Sequence, residues 1–263
     1  METISKEKIK LINHLRDKKY REKLRKYVVE GEKIAKEYLN YANKDIYTIC
    51  ATDEFFNKID YQLIKSIPYK YSISPEMMKR ISDLSTPTSV LLVINYKEKI
   101  FNLNNILKSS DIIIVLENIQ DPGNLGTIIR TADWFGVNNI ICSTNSVDCY
   151  NQKVIQASMG SLLRVNIWYQ DLQKFLLEIK QNENIKIYGT FLEGENIYKD
   201  DSLKLPAVII FGNESKGISN NLTKLINKKL YIPSFSTNTS KANSLNVAIS
   251  ASIIISEFRR RFL

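Results

Sequence analysis

Three places in the second half of the chain gather amides, carboxylates and an arginine beside the ends of regular elements. They are Asn118 to Ala132 (NIQDPGNLGTIIRTA), Gly212-Asn213-Glu214 and Ser244-Leu245-Asn246. Groups of this kind hold a ligand by hydrogen bonds and charge. Side chains for imidazole, thiolate or metal chemistry are scarce. His14 is the only histidine and falls in a charged amphipathic stretch, so imidazole acid–base or metal chemistry is not expected. Cys50, Cys142 and Cys149 show no metal-ligand spacing. No GxGxxG follows a strand, and GNESKGIS contains Gly-Lys without the spacing of a phosphate-binding loop. Taken singly, Gly-Asn-Glu after a strand is a turn and Ser-Leu-Asn at a helix start is a cap.

The elements around these residues bring them together. Val208-Ile209-Ile210-Phe211 is a short β-branched run bounded by Gly212, the pattern of a buried strand. Lys229-Leu230-Tyr231-Ile232-Pro233 is a second strand, stopped by a proline that cannot donate to a ladder. Ser244-Leu245-Asn246-Val247 opens a long apolar helix, with Ser244 or Asn243 as its expected N-cap. Two strands and a helix thus deliver Gly212-Asn213-Glu214, the loop after Ile232 and the last helix start to one end of a sheet. Ligands of open parallel sheets collect at the carboxyl ends of strands. Strand ends and a helix start also offer unpaired N–H and C=O groups.

The blocks NIQDPGNLGTIIRTADWFG, IIFGNESKGIS and YIP…NSLNVAIS, in that order, resemble the three sequence motifs of the SpoU branch of SPOUT RNA 2′-O-ribose methyltransferases. The resemblance implies an α/β-knot domain, a mostly parallel sheet with a deep trefoil knot. It implies S-adenosyl-L-methionine as cofactor, with Gly212, Ile232 and Leu245 holding its adenosine largely through backbone groups and Thr190 and Asn213 nearby. It assigns Asn124 and Arg130 to the catalytic centre, with Glu214 and Asn246 supporting them and Ser244 near the methyl. It implies a homodimer, with sites formed across it, and no metal. A ribose 2′-hydroxyl is a weak nucleophile that must lose its proton. A guanidinium stays protonated, so Arg130 suits phosphate binding and stabilisation of developing alkoxide charge. The alternative uses are a helix cap for Asn124 and an ion pair with Asp133 or Glu117 for Arg130. The loop between Ile232 and Leu245 is longer than the family pattern, its SFSTNTSKAN composition suggests mobility, and Ser234 stands where methionine is common.

The second domain reads as strands Asp111–Leu116, Asn138–Cys142, Leu163–Trp168 and Ile185–Phe191 before the two already given. Helices are expected over 124–135, 150–158 and 171–179. Thr190 then lies at a carboxyl edge. Before it, Tyr27–Val29, Ile46–Cys50, Tyr69–Ile73 and Ser89–Asn95 read as strands, with helices over 32–39, after Asp53 as cap, and from Ser74-Pro75 to Ile81. This smaller α/β domain is similar to the substrate-binding domain that often precedes a SpoU domain, itself resembling kink-turn-binding ribosomal proteins. The expected division is 1–95 for RNA binding, 96–107 as linker and 108–263 for catalysis.

The sequence has 263 residues, 44% hydrophobic, and a net charge of +9, which favours polyanions. Residues 1–100 carry a net +6 of this. Arg16, Lys18, Lys19, Arg21, Lys23, Arg25 and Lys26 crowd together there, on a helix whose other face holds Ile9, Ile12, Leu15 and Leu24. Such a helix suits phosphate contacts, and Arg16, Lys18, Lys19, Arg21 and Arg25 are the expected RNA-binding residues. Cysteine usage points to a reducing cytoplasm, and no apolar run is long enough to span a membrane. The expected function is 2′-O-methylation of RNA, ribosomal 23S RNA by family analogy. Transfer RNA is the alternative substrate, and a non-catalytic rRNA assembly factor the alternative role.

Overall fold

The computed structural model describes residues 4–237 and 242–262. In chain order it begins α1 (Lys6–His14), α2 (Lys18–Leu24), β1 (Lys26–Glu30), α3 (Glu32–Tyr41), β2 (Ile46–Ala51) and α4 (Asp53–Lys58). Next come α5 (Tyr61–Ile64), β3 (Tyr69–Ser72), α6 (Pro75–Ile81), β4 (Val90–Asn95), α7 (Leu103–Ser109) and β5 (Ile112–Leu116). Then follow α8 (Pro122–Trp134), β6 (Asn139–Ser143), α9 (Gln152–Ser158), β7 (Asn166–Gln170), α10 (Leu172–Lys180) and β8 (Lys186–Asn196). The last are β9 (Ala207–Phe211), α11 (Asn220–Thr223), β10 (Lys228–Tyr231) and α12 (Val247–Arg261). The chain divides into two compact units. One holds the residues through Ile100 together with Asp148–Leu163, and the other holds Phe101–Val147 and Arg164 onward.

The first unit is built on a four-stranded sheet of order β1-β4-β2-β3. The β1–β4 and β4–β2 pairs are antiparallel and β2–β3 is parallel. Val28, Cys50, Tyr71, Leu91 and Val93 form one core with Ile12, Leu15, Met78 and Ile81. The segment Asp148–Leu163, with α9, completes this unit although it lies far along the chain. Arg21 is 4% exposed and sends Nε and Nη2 to Asp148 Oδ2 at 3.0 and 2.6 Å. Its Nη1 donates to the carbonyls of Leu15 and Arg16. The buried Glu30 carboxylate accepts from Ser82 Oγ, the Asp83 amide and Gln152 Nε2, and burial pushes its pKa up against those hydrogen bonds. Gln156 Nε2 caps the Glu30 carbonyl at 2.8 Å, and Tyr150 stacks on Tyr96 with centroids 4.2 Å apart.

Arg21 therefore corrects the sequence reading. Its guanidinium is spent on an internal carboxylate and two carbonyls, so it is no surface contact. The basic run is also not one helix. It breaks after His14, restarts at Lys18 under an Asp17 cap, and ends with Arg25 in the left-handed region at φ 52°. Arg16, Lys18, Lys19 and Arg25 remain exposed. The cap of α4 is Thr52, whose hydroxyl accepts from the Phe55 amide, rather than Asp53.

The second unit is a six-stranded, wholly parallel sheet of order β10-β8-β9-β5-β6-β7. Near-continuous apolar strands such as Ile112–Leu116 and Ala207–Phe211 are buried on both faces, as parallel sheets require. One face packs Ile113, Val115, Ile187, Val208 and Ile210 against Leu172, Phe175, Leu176 and Ile179 of α10. Ile106 of α7 joins this core with Phe101 and Leu103 against it, so the segment expected as linker is in part a packed helix. On the other face α8 packs against α12, and Phe258 meets Tyr188 edge-on at 5.1 Å. The arginines ending α12 are structural ties. Arg259 reaches Asp111 and the Phe135 carbonyl, and Arg260 and Arg261 clasp the buried Glu257.

Candidate functional site

The four adjacent strands β10, β8, β9 and β5 end at one rim, and that rim carries most of the residues singled out from sequence. After β5, Ser143 Oγ accepts from the amide of Asn118, which takes the left-handed region at φ 55°. The chain then turns into α8, with Asp121 as N-cap accepting from the Asn124 amide at 2.8 Å and Pro122 at the first helical positions. Asn124 is thus not the cap, and its side chain is free for other partners. The sequence signal for Asp121 was present in Asp-Pro ahead of the apolar period.

After β9, Gly212 and its neighbours close a tight turn. Asn213 and Gly217 exchange two backbone hydrogen bonds of 3.1 and 2.9 Å, and Asn213 Oδ1 accepts from the amides of Ser215 and Lys216. A Cβ on Gly212 would run into the Gly217 carbonyl carbon and the Ile218 nitrogen, so only glycine fits there. Asn213 Nδ2 donates to the Asn118 carbonyl at 2.8 Å and ties the β9 and β5 loops together. Glu117 Oε2 fixes the far side of the turn through the Ser219 amide at 2.8 Å. Asn118 and Glu117 were not expected as site residues.

The N-cap of α12 is Asn246, not Ser244 or Asn243. Its Oδ1 accepts from the amides of Ala248 and Ile249 at 2.9 and 3.3 Å. Its Nδ2 donates to Asn124 Oδ1 at 2.9 Å, and Asn124 Nδ2 donates to Glu214 Oε1 at 3.0 Å. Glu214 Oε2 takes a further 3.3 Å bond from Asn213 Nδ2. Three residues from three separated motifs form one line of hydrogen bonds that runs from the α12 cap to a carboxylate.

Other residues surround this line without joining it. Thr190 is half-buried where β8 leaves its partner. β8 runs on to Asn196, beyond the end expected from sequence, because register with β10 jumps from Gly189 opposite Lys229 to Glu195 opposite Leu230. Residues 190–194 form the excursion. Ser244 and Leu245 are exposed just ahead of α12, Leu245 at 49%. Residues 238–241 of the loop expected to be mobile lie outside the described residues. Arg130 is exposed on α8, about 9 Å along the axis from Asn124 by the helical rise of ~1.5 Å per residue. The ion-pair partners considered for it are engaged elsewhere. Asp133 receives Arg164 Nε at 3.0 and 2.9 Å, and Glu117 receives Ser219. Among the described residues Arg130 has no partner, which leaves its guanidinium open on the exposed face of α8.

The peptide groups of Gly212, Ile232 and Leu245 make no backbone–backbone hydrogen bond among the described residues. Such a rim fits a ligand recognised through main-chain donors and acceptors, as the adenosine of the expected methyl donor would be. Among the described residues no group of three or more His, Cys, Asp or Glu could hold a metal, and no helix is long and apolar enough to cross a membrane.

Comparison with known proteins places this geometry. The SpoU rRNA Methylase family model matches residues 111–256, and the MRM3-like substrate binding domain matches residues 6–92. The chain is 28% identical over 259 residues to the 23S rRNA (guanosine(2553)-2′-O)-methyltransferase RlmP of Bacillus subtilis, covering 98% of each. A putative RNA methyltransferase of the TrmH family from Porphyromonas gingivalis superposes with TM-score 0.82 at 30% identity, covering 99% of this chain and all of that one. The AdoMet-bound rRNA methyltransferase of Sinorhizobium meliloti superposes with TM-score 0.84 at 25% identity, covering 100% and 98%.

Proposed function

Because this chain belongs to the SpoU rRNA Methylase family and has its α/β-knot fold, we propose that it is a 2′-O-methyltransferase acting on 23S ribosomal RNA with S-adenosyl-L-methionine as donor. The observation that carries this is the line Asn246–Asn124–Glu214, which joins all three motifs at the rim where Gly212, Ile232 and Leu245 make no backbone–backbone hydrogen bond among the described residues. The whole-length likeness to RlmP supports ribosomal rather than transfer RNA as the substrate.

S-adenosylmethionine, when bound, supplies an activated methyl on a sulfonium. Gly212, Ile232 and Leu245 would hold it, with Thr190, Asn213 and Ser244 around it. The chain's own work is to position and to stabilise. Asn124 and Asn246 keep the start of α8, the start of α12 and the Glu214 turn in one arrangement, a fixed frame that would orient a bound ribose at the rim. Arg130 would carry the charge that binds the phosphate beside the target ribose and offsets the negative charge developing on the 2′-oxygen.

Arg130 stands apart from the Asn124 line, and Trp134 one turn further on α8 is 84% exposed, with Ile249 of α12 at 49%. Exposed apolar side chains on α8 and α12, with an arginine that has no partner among the described residues, are what a second copy of the chain would cover. The protein is therefore proposed as a homodimer in which Arg130 serves its partner's site. Arg16, Lys18, Lys19 and Arg25 are proposed RNA contacts of the substrate-binding unit, and the cytoplasm the compartment. Mapping 2′-O-methyl positions in RNA from cells with and without the gene tests the reading. Loss of one 23S mark is expected; an unchanged 23S pattern with a lost tRNA mark would refute the substrate.

A further inference from the structure

The first unit holds a cationic aromatic cluster that the methyl-transfer site does not account for, in which Lys26, the last residue of the basic run, stands at the start of β1 rather than on a helix. In β2 the register with β4 slips, pairing Ile46 with Ile94 and Thr48 with Val93, so Tyr47 is the extra, bulged residue. A bulge of this kind re-aims a side chain. Here it sets the Tyr47 ring between two lysines. Lys8 Nζ, from α1, lies 4.5 Å from the ring centroid and donates to the phenol oxygen at 2.9 Å. Lys26 Nζ, from the start of β1, lies 4.3 Å from the same centroid. Tyr69 of β3 meets Tyr47 edge-on at 5.0 Å, has Lys8 over its ring at 3.7 Å, and is 37% exposed.

Two ammonium groups lie within 4.5 Å of the Tyr47 ring centroid, and among the described residues neither has a carboxylate partner. Like charges brought together repel, and the tyrosine faces offset only part of this. The hydrogen bond and charge of Lys8, with lesser help from the Tyr69 hydroxyl and the charge of Lys26, draw the Tyr47 phenol below its ordinary pKa against the opposing effect of burial. The same two positive charges favour an anion from outside. The site lies at the amino ends of β1, β2 and β3, where Lys26 directly follows the exposed Arg25.

We propose that Lys8, Lys26 and the bulged Tyr47 bind a backbone phosphate of the substrate RNA, while the exposed ring of Tyr69 takes the neighbouring unpaired base. This rests on the RNA-methyltransferase reading and adds a positioning site remote in sequence from the catalytic motifs. RNA is favoured over other polyanions because a stacking ring stands beside the ammonium pair, the combination that binds unpaired nucleotides.

The test uses the full-length protein and an in vitro transcript of Bacillus subtilis 23S rRNA, with binding followed across salt concentrations. Lys8→Gln/Lys26→Gln should weaken binding about tenfold and make the log K against log salt slope shallower by about 0.7 to 0.9, one phosphate contact's worth. Lys8→Arg/Lys26→Arg should restore both. Tyr69→Ala should weaken binding about tenfold with the slope unchanged, since stacking releases no counterions. S-adenosylmethionine affinity should stay as in the wild type, and at saturating RNA so should kcat, with KM for RNA raised. If the wild type binds the transcript and the glutamine and alanine variants match it in affinity and slope, the site is refuted while the methyltransferase reading stands. If the wild type does not bind the transcript, that reading itself fails. Should the double lysine variant melt early, Tyr69→Ala alone decides, and unchanged affinity refutes the proposal.

Discussion

Arg21 offers a sharp contrast between a structural and an RNA-binding role. Its guanidinium is 4% exposed, and the side chain of its partner Asp148 is 12% exposed. Replacing Arg21 by alanine strands the Asp148 carboxylate and leaves the Leu15 and Arg16 carbonyls without their donor. Removing one member of a buried pair costs about 3–5 kcal/mol. For a unit of this size that corresponds to a fall in Tm of ~10 °C or more. Arg21→Lys separates the two roles. A lysine keeps the charge that a phosphate needs but cannot reproduce the fork onto Asp148 and two carbonyls. The Arg21→Lys variant should therefore lose most of the stability that the alanine variant loses, and Arg21→Met/Asp148→Asn should regain part of it. The assay is thermal melting followed by circular dichroism, beside RNA binding at fixed salt. A lysine variant that melts like the wild type, or an alanine variant that melts normally but binds RNA poorly, would refute the reasoning.

Three further outcomes follow from the second unit. Gly212→Ala should weaken S-adenosylmethionine binding at least about tenfold, ~1.4 kcal/mol, because the new Cβ meets the Gly217 backbone; unchanged calorimetric affinity would contradict it. Arg260 and Arg261 hold the Glu257 carboxyl down at about 2, and Asp111 is held low by Arg259 against the upward push of burial. Asp200 is likewise pushed up by burial but held low by Ser202 and Lys228. Each folded-state value lies below the unfolded one, so this stabilisation is complete above about pH 5 and is lost as pH falls towards 2. Denaturant melts at pH 7, 5 and 3 should show that fall, and Glu257→Gln should flatten it; an equal slope in the variant would assign the acid sensitivity elsewhere. Mixing Arg130→Ala protomers with Gly212→Ala protomers should restore about a quarter of wild-type turnover, since half the random dimers then hold one intact site. No recovery would place Arg130 in its own subunit's site.

Much of this was legible in the sequence because the apolar runs are unambiguous. Ile112–Leu116 and Ala207–Phe211 could only be buried parallel strands, and Gly212, Asn124, Glu214 and Asn246 fell where strand ends and helix starts had to put them. Caps were read less well. Asn243, Ser244 and Asn246 are all good N-cap residues, and Thr52-Asp53 offers two in a row, so propensity alone does not choose; side-chain geometry does. Arg21 was misread because its carboxylate is 127 positions away and composition cannot pair residues across that distance. The same holds for Asp148–Leu163, which follows the first catalytic motif in sequence but completes the first unit. The Tyr47 bulge was invisible, since a one-residue slip leaves no mark on an apolar pattern.

The most direct measurement is transfer of labelled methyl from S-adenosylmethionine to 23S rRNA by the purified protein, with the product digested to nucleosides. Label on a single ribose 2′-oxygen, reduced at least ~100-fold by Arg130→Ala while donor affinity stays within a few-fold, is the predicted result. Label on a base, no transfer to any RNA, or equal transfer by the Arg130 variant would contradict the account.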